Sequence, residues 1–188
     1  MDYSKTITQE ILQLFEKYGR EQYGEDITQE EHALQSAILA EREGFEDEVI
    51  IAALLHDIGH LFSEDSEEKK MGVYGIMSHE KVGADYLREK GFAEIVALLV
   101  EGHVEAKRYL TYKYPDYYTQ LSEASKKTLE YQGGVMNDDE AKAFELLPHF
   151  KLNLKMREWD DMAKIEDLKL PTMADYKAMI EKHLEAKN

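Results

Sequence analysis

The chain has 188 residues, 43% hydrophobic and 33% charged, a size and composition that suit one domain with a substantial core. Its 39 acidic against 23 basic residues give a net charge of −16, which disfavours nucleic acid and anionic membrane because both depend on dense Lys/Arg contacts. Cysteine is absent, excluding disulfides and thiolate metal ligands, and no apolar run approaches the roughly 18 residues of a membrane span.

Helical periodicity runs nearly throughout, with no sustained period-two alternation and no internal repeat. A first helix is expected from about Thr6 to Tyr18, broken near Gly19. In TQEEHALQSAILAEREG, Thr28 and Glu31 are spaced as a capping box and Gly44 is placed as the stop. EDEVIIAALLHDIGH is apolar on all sides of its middle turns and reads as a central buried helix. Residues 63–77 read as a loop, after which Ser78 is placed to cap SHEKVGADYLREKG and Gly91 to end it. FAEIVALLVEGHVEAKRYL is the second strongly apolar helix, followed by a Tyr-rich connection, YKYPDYY, expected to be core or pocket wall. SEASKKTLEYQ is a short helix ended by Gly133 and Gly134, Asn137 with Glu140 starts another before Pro148, and FKLNLKMREWDDMAK and PTMADYKAMIEKHLEAK complete the pattern. The expected fold is all-α, a single-domain bundle over residues 1–188.

Five of seven histidines (His32, His56, His60, His79, His103) fall in the first 103 residues, and only the 56/60 pair shares a helix. A lone helical histidine is ordinarily structural, so the argument rests on the set. A bundle can aim such positions at one central point. Asp57, beside His56, can bridge two metal ions while its neighbour binds one. Nitrogen and oxygen donors without sulfur suit Fe, Mn or Zn, and with carboxylates mixed in they suit iron well. Asp160 and Arg157 are three residues apart, and His103 and Lys107 four, so each proposed ligand carries a cation one turn away. Two cations beside metal ligands in so acidic a chain indicate an anion pocket. His149 and His183 carry no role and read as surface residues.

The order His32, His56-Asp57, His79, His103, Asp160 resembles the HD-domain superfamily in its six-ligand, two-metal form. The match extends to EQYGEDITQEEH, HEKVGADYL, KRYLT, SEASKKTLEYQGGVM and KMREWDDMAK, covering roughly residues 10–165. These stretches look like the mixed-valent diiron oxygenases of that superfamily, alongside myo-inositol oxygenase, and most like its phosphonate-cleaving members. The resemblance implies an HD-type bundle with its metal-binding core at about 28–165 and a C-terminal helix at about 172–186. His32, His56, Asp57 and Asp160 would hold one iron, with Asp57 bridging to a second completed by His79 and His103. Tyr23 would cap the second iron until substrate displaces it. Glu25 would meet a substrate ammonium, with Asp26 as a rival. His60, Lys107, Ser125, Gln132 and Arg157 would line the pocket around a phosphonate.

The implied activity is O2-dependent cleavage of 2-amino-1-hydroxyethylphosphonate to glycine and phosphate at an Fe(II)/Fe(III) pair. The expected partner is that small substrate, with no nucleic acid, membrane or obligate protein partner. The sequence start lacks a basic-then-apolar leader pattern, so the expected location is the cytoplasm. The alternative within enzymes is a metal-dependent HD phosphohydrolase acting on a nucleotide or other phosphate ester. A degenerate, ligand-sensing bundle ranks below both, because none of the six ligand positions is missing.

Overall fold

The computed structural model describes residues 2–22, 25–62, 71 and 74–186. Among these residues the protein is all-α, with ten α-helices and no strand. The core is built on α3 (Asp47–Leu55), whose residues from Val49 to Leu55 are all buried. A helix apolar all round must be enclosed by others. Here α2 (Gln29–Arg42), α5 (Glu94–Lys113) and α10 (Lys177–Glu185) pack around it, and α4 (His79–Glu89) and α9 (Phe150–Met162) lie on α5. α1 (Tyr3–Tyr18) packs on α10. A satellite cluster around Tyr109, Phe144 and Phe150 joins α5 to α8 (Asp138–Glu145) and α9.

Local signals placed several boundaries correctly. Thr28 and Glu31 form the reciprocal capping box of α2, with Thr28 N–H donating to Glu31 Oε2 at 2.8 Å and Glu31 N–H to Thr28 Oγ1 at 3.2 Å. Asn137 and Glu140 do the same for α8, and Gly44 and Gly91 take positive φ just past α2 and α4.

Other expectations are corrected. The central helix stops at Leu55 rather than running through His60, and a 3₁₀ turn covers Ile58–Leu61. Ser78 has left-handed φ and makes no side-chain cap. YKYPDYY is not a loop: α5 runs to Lys113, and Pro115, tolerated at a first helical position, opens α6 (Pro115–Gln120). Tyr114 and Tyr118 are exposed rather than packed. His183 is buried instead of on the surface, where it accepts from Ala93 N–H at 3.1 Å and stacks on Phe92. Most of the expected loop 63–77 lies outside the described residues.

Candidate metal centre and substrate pocket

The break after Leu55 aims the His-Asp pair. His56 is the C-cap of α3 and keeps helical φ/ψ, whereas Asp57 has φ −102° and ψ 10°. The kink takes Asp57 out of the helical path of α3, and its carboxylate comes to lie among four imidazoles from four elements. Its Oδ1 is 3.2 Å from His79 Nε2 and 3.5 Å from His103 Nε2. Its Oδ2 is 3.6 Å from His32 Nε2 and 3.7 Å from His56 Nε2. Asp160 Oδ1 closes the second group, 3.3 Å from His32 Nε2. The six predicted ligand residues are thus brought together as two clusters that share one carboxylate.

The second ring nitrogens explain the orientation. His56, His79 and His103 each direct Nδ1 at the carbonyl three residues back, at 2.8, 3.3 and 2.6 Å, and His32 directs its own at Ala163 at 2.8 Å. A neutral ring donating from Nδ1 has only a lone pair on Nε2. Yet the Nε2 atoms of His32 and His56 are 3.1 Å apart, and those of His79 and His103 are 3.2 Å apart. Lone pairs facing one another at that distance repel unless a positive charge lies among them. Neighbouring donors around an ion with bonds of about 2.1 Å stand roughly 3 Å apart. The donor set therefore fits two metal ions, which His32–His56–Asp160 and His79–His103 would hold with the Asp57 carboxylate between them.

Electrostatics point the same way. Burial opposes ionisation of Asp57 and Asp160, but His56 and His79 at one, and Arg157 and His32 at the other, hold both well below the usual carboxylate range. Burial pushes His103 down to about 3 and lowers His56. At His32 and His79 burial is outweighed by Asp160 and Asp57 respectively, and both rise.

His60 also lies within 4.8 Å of Asp57 and His79 and could be read as a ligand by distance alone. Its hydrogen bonding differs. His60 stacks on His79, and its Nδ1 accepts from Ile76 N–H at 3.0 Å. A neutral His60 ring therefore carries its proton on Nε2 and is a donor, the opposite tautomer to the four others.

One glycine holds this arrangement together. A Cβ on Gly59 would lie 1.9 Å from the His79 carbonyl oxygen and 3.0 Å from Gly83 N, both backbone atoms. The 3₁₀ turn and the start of α4 touch because residue 59 has no side chain. Gly59→Ala is expected to cost about 1–3 kcal/mol through overpacking and to displace His79. Thermal unfolding should shift down by several degrees, and metal analysis should show the His79–His103 side losing occupancy first.

The centre forms the floor of an open pocket whose empty space, solvent at the mouth included, is about 560 Å³. Lys107 lies one turn beyond His103, buried, with Nζ donating to Thr128 Oγ1 at 2.8 Å; burial, then the charge of Arg157, pushes it down to about 7. Arg157 is buried too, but most of its donors are committed: Nη1 to Asp160 Oδ2 at 2.6 Å, Nε to Tyr117 at 2.9 Å, and Nη2 to Asp161 and, at 3.4 Å, Ser125 Oγ. It lines the pocket, and it also holds Asp160 in place. Ser125 is buried in α7 (Glu123–Tyr131) with its hydroxyl facing cations. Gln132 lines the wall, and its Oε1 is buried with no hydrogen-bond partner among the described residues. Glu25 lies at the rim, while its rival Asp26 is exposed and does not line the pocket. Tyr23 lies outside the described residues.

Lys164 was missed. It lines the pocket and donates to Glu25 Oε1 at 2.7 Å. KMREWDDMAK contains it, but it sits two residues past the end of α9, where helical spacing predicts no direction.

The HD domain model matches residues 29–132, the stretch that carries α2 through α7. The chain belongs to the HD-domain family. Within that family it is 40% identical over 185 residues to hydroxymethylphosphonate dioxygenase of Gimesia maris, covering 97% of this chain and 92% of the relative. It is 38% identical over 184 residues to the glycine-betaine-forming [1-hydroxy-2-(trimethylamino)ethyl]phosphonate dioxygenase of Leisingera caerulea, covering 92% and 90%. An uncharacterized protein of Acanthamoeba polyphaga mimivirus is 43% identical over 175 residues, 93% of this chain and 80% of the relative. The HD-domain core matched by the family model holds five of the six proposed ligands. Asp160 lies beyond it and reaches the centre through the packing of α9 on α2 and α5.

Proposed function

We propose that this HD-domain protein is an oxygenase that cleaves the C–P bond of a small 1-hydroxyphosphonate, using two iron ions held by His32, His56, Asp57, His79, His103 and Asp160. The observation that carries the reading is the Asp57 carboxylate set between two clusters of acceptor nitrogens, in a chain with two relatives named as phosphonate dioxygenases. Overall, RCH(OH)PO3H2 and O2 give RCOOH and H3PO4, so atoms balance with no added reductant. The iron pair would supply the place where dioxygen is taken up and the one-electron steps that a closed-shell substrate needs.

The chain's own residues bind and orient. Lys107, buried and with one N–H engaged by Thr128, meets the phosphonate as a charge-assisted donor. The dianion favours the protonated amine. His60 lines the pocket beside the metal floor and faces the substrate there. Ser125 and Gln132 supply further polar contacts, and Arg157 adds positive charge while holding Asp160. Burial of the floor excludes water and strengthens each of these contacts.

The finer reading that the sequence resemblance implies is 2-amino-1-hydroxyethylphosphonate as substrate, with glycine and phosphate as products. Its support is the Glu25 carboxylate at the rim, which an ammonium can meet only in place of Lys164, whose Nζ is 2.7 Å from Oε1. The test is an oxygen-electrode trace on iron-reconstituted protein given that compound or hydroxymethylphosphonate, with phosphate assayed alongside. Stoichiometric oxygen uptake and phosphate release are expected with at least one of them. Phosphate-ester hydrolysis without oxygen, and a flat trace with both phosphonates, would instead establish the phosphohydrolase.

A further inference from the structure

The rim carboxylate that would receive a substrate ammonium already has one. Lys164 Nζ is 2.7 Å from Glu25 Oε1, and the same oxygen accepts from Ser122 Oγ at 2.7 Å. Lys164 also stands 3.3 Å from the hydroxyls of both Ser122 and Ser125. The pair is partly shielded, with side-chain exposures of 20% and 26%.

This is not the chance reach of a flexible surface side chain. The residues on either side of Lys164 are pinned to α2. Ala163 accepts at its carbonyl from His32 Nδ1 at 2.8 Å. Ile165 is clamped in both directions by Gln35, whose Nε2 donates to the Ile165 carbonyl at 2.9 Å and whose Oε1 accepts from Ile165 N–H at 3.0 Å. Gln35 is three residues beyond His32, on the same face of α2. One helix face therefore presents a metal-cluster histidine and fixes the backbone that aims Lys164 at Glu25.

We propose that Lys164 is a specificity-determining residue that supplies from the protein the positive charge a cationic substrate would otherwise bring, so that the preferred substrate is a 1-hydroxyphosphonate with no ammonium group. This rests on the oxygenase reading above and, within its substrate class, replaces the amino compound that the resemblance implies with one that carries no ammonium. A cationic substituent must displace Lys164 from Glu25 or sit beside a like charge. An uncharged or absent substituent leaves the pair intact. The two named relatives act on compounds that differ at this group, one lacking it and one bearing a trimethylated nitrogen, so the rim is where a change in charge would change the substrate.

The experiment compares iron-reconstituted wild type, Lys164→Met and Lys164→Arg on hydroxymethylphosphonate and 2-amino-1-hydroxyethylphosphonate. It reads kcat/KM by oxygen uptake and Kd by anaerobic calorimetry. Wild type is expected to favour hydroxymethylphosphonate. Lys164→Met keeps an unbranched stem but frees Glu25, and should move the ratio toward the amino compound by about tenfold or more, the worth of one hydrogen bond to a charged group. Lys164→Arg should keep the wild-type ratio. A wild-type preference for the amino compound would overturn the proposal, as would a ratio unmoved in Lys164→Met. So would an equal loss on both compounds in that variant, which would make Lys164 a phosphonate contact. Failure of the oxygenase reading is a separate result, an absence of oxygen uptake with either compound in two-iron wild type. The Kd ratios still decide the role of Lys164 in that case.

Discussion

Asp57→Asn is expected to bind at most one iron per chain and to lose oxygenase activity by about a thousandfold or more. The substitution is nearly isosteric, so α3, the 3₁₀ turn and α4 should pack as before. What changes is charge and donor character. Asp57 Oδ1 faces His79 and His103 while Oδ2 faces His32 and His56. An asparagine can offer one oxygen to one cluster, but its NH2 turns a donor toward the other. The His79–His103 side then has two neutral nitrogens and no anion. The His32–His56 side retains Asp160, so it is the side expected to keep an ion. Loss of a metal ion from a redox pair removes several kcal/mol of transition-state stabilisation, which is about a thousandfold in rate. Iron per chain by elemental analysis, beside oxygen uptake, checks both parts. Two irons at full occupancy in the variant would refute the bridge.

That expectation was reachable from the sequence because ligand residues sit on strongly patterned elements. His32 lies inside a capped helix and His103 on an apolar one, and the site lies where apolar faces of a bundle meet. The buried cations were legible for the same reason, since Lys107 and Arg157 are one turn from ligands on helices that continue unbroken. What escaped depends on backbone that leaves helical geometry. The kink at Asp57 sets which oxygen faces which cluster, and residue spacing does not encode it. Lys164 follows the end of α9, and its direction comes from a side-chain clamp made by Gln35 on a helix about 130 residues earlier in the chain. The opposite tautomer of His60 depends on Ile76 N–H arriving from a different segment. His183 looked like surface because a charged C-terminal helix surrounds it, yet it accepts a backbone proton from Ala93. Such long-range polar contacts have no local signature.

Arg157→Met is expected to destabilise the metal-free protein far more than the iron-loaded one. The Arg157 guanidinium is buried between Asp160, Asp161, Tyr117 and Ser125. Removing one partner from a buried ion pair leaves an uncompensated charge and costs about 3–5 kcal/mol. For a chain of this length that is a fall on the order of 10 °C in the unfolding midpoint. With iron bound, Asp160 retains a neighbouring cation, so the fall should be smaller. The pH dependence has a definite sign. Burial would raise Asp160, but Arg157, aided by His32, holds it well below the usual range. A depressed carboxylate contributes stability that is fully present above its unfolded pKa of about 3.9 and is lost as pH falls toward the folded value. The difference in stability between metal-free wild type and Arg157→Met should therefore be widest near neutrality and narrow as the pH falls below about 4. Thermal unfolding of both proteins across that range, with and without iron, measures it. A gap of equal size at every pH and metal state would mean that Arg157 contributes by packing its stem rather than by countering the charge of Asp160.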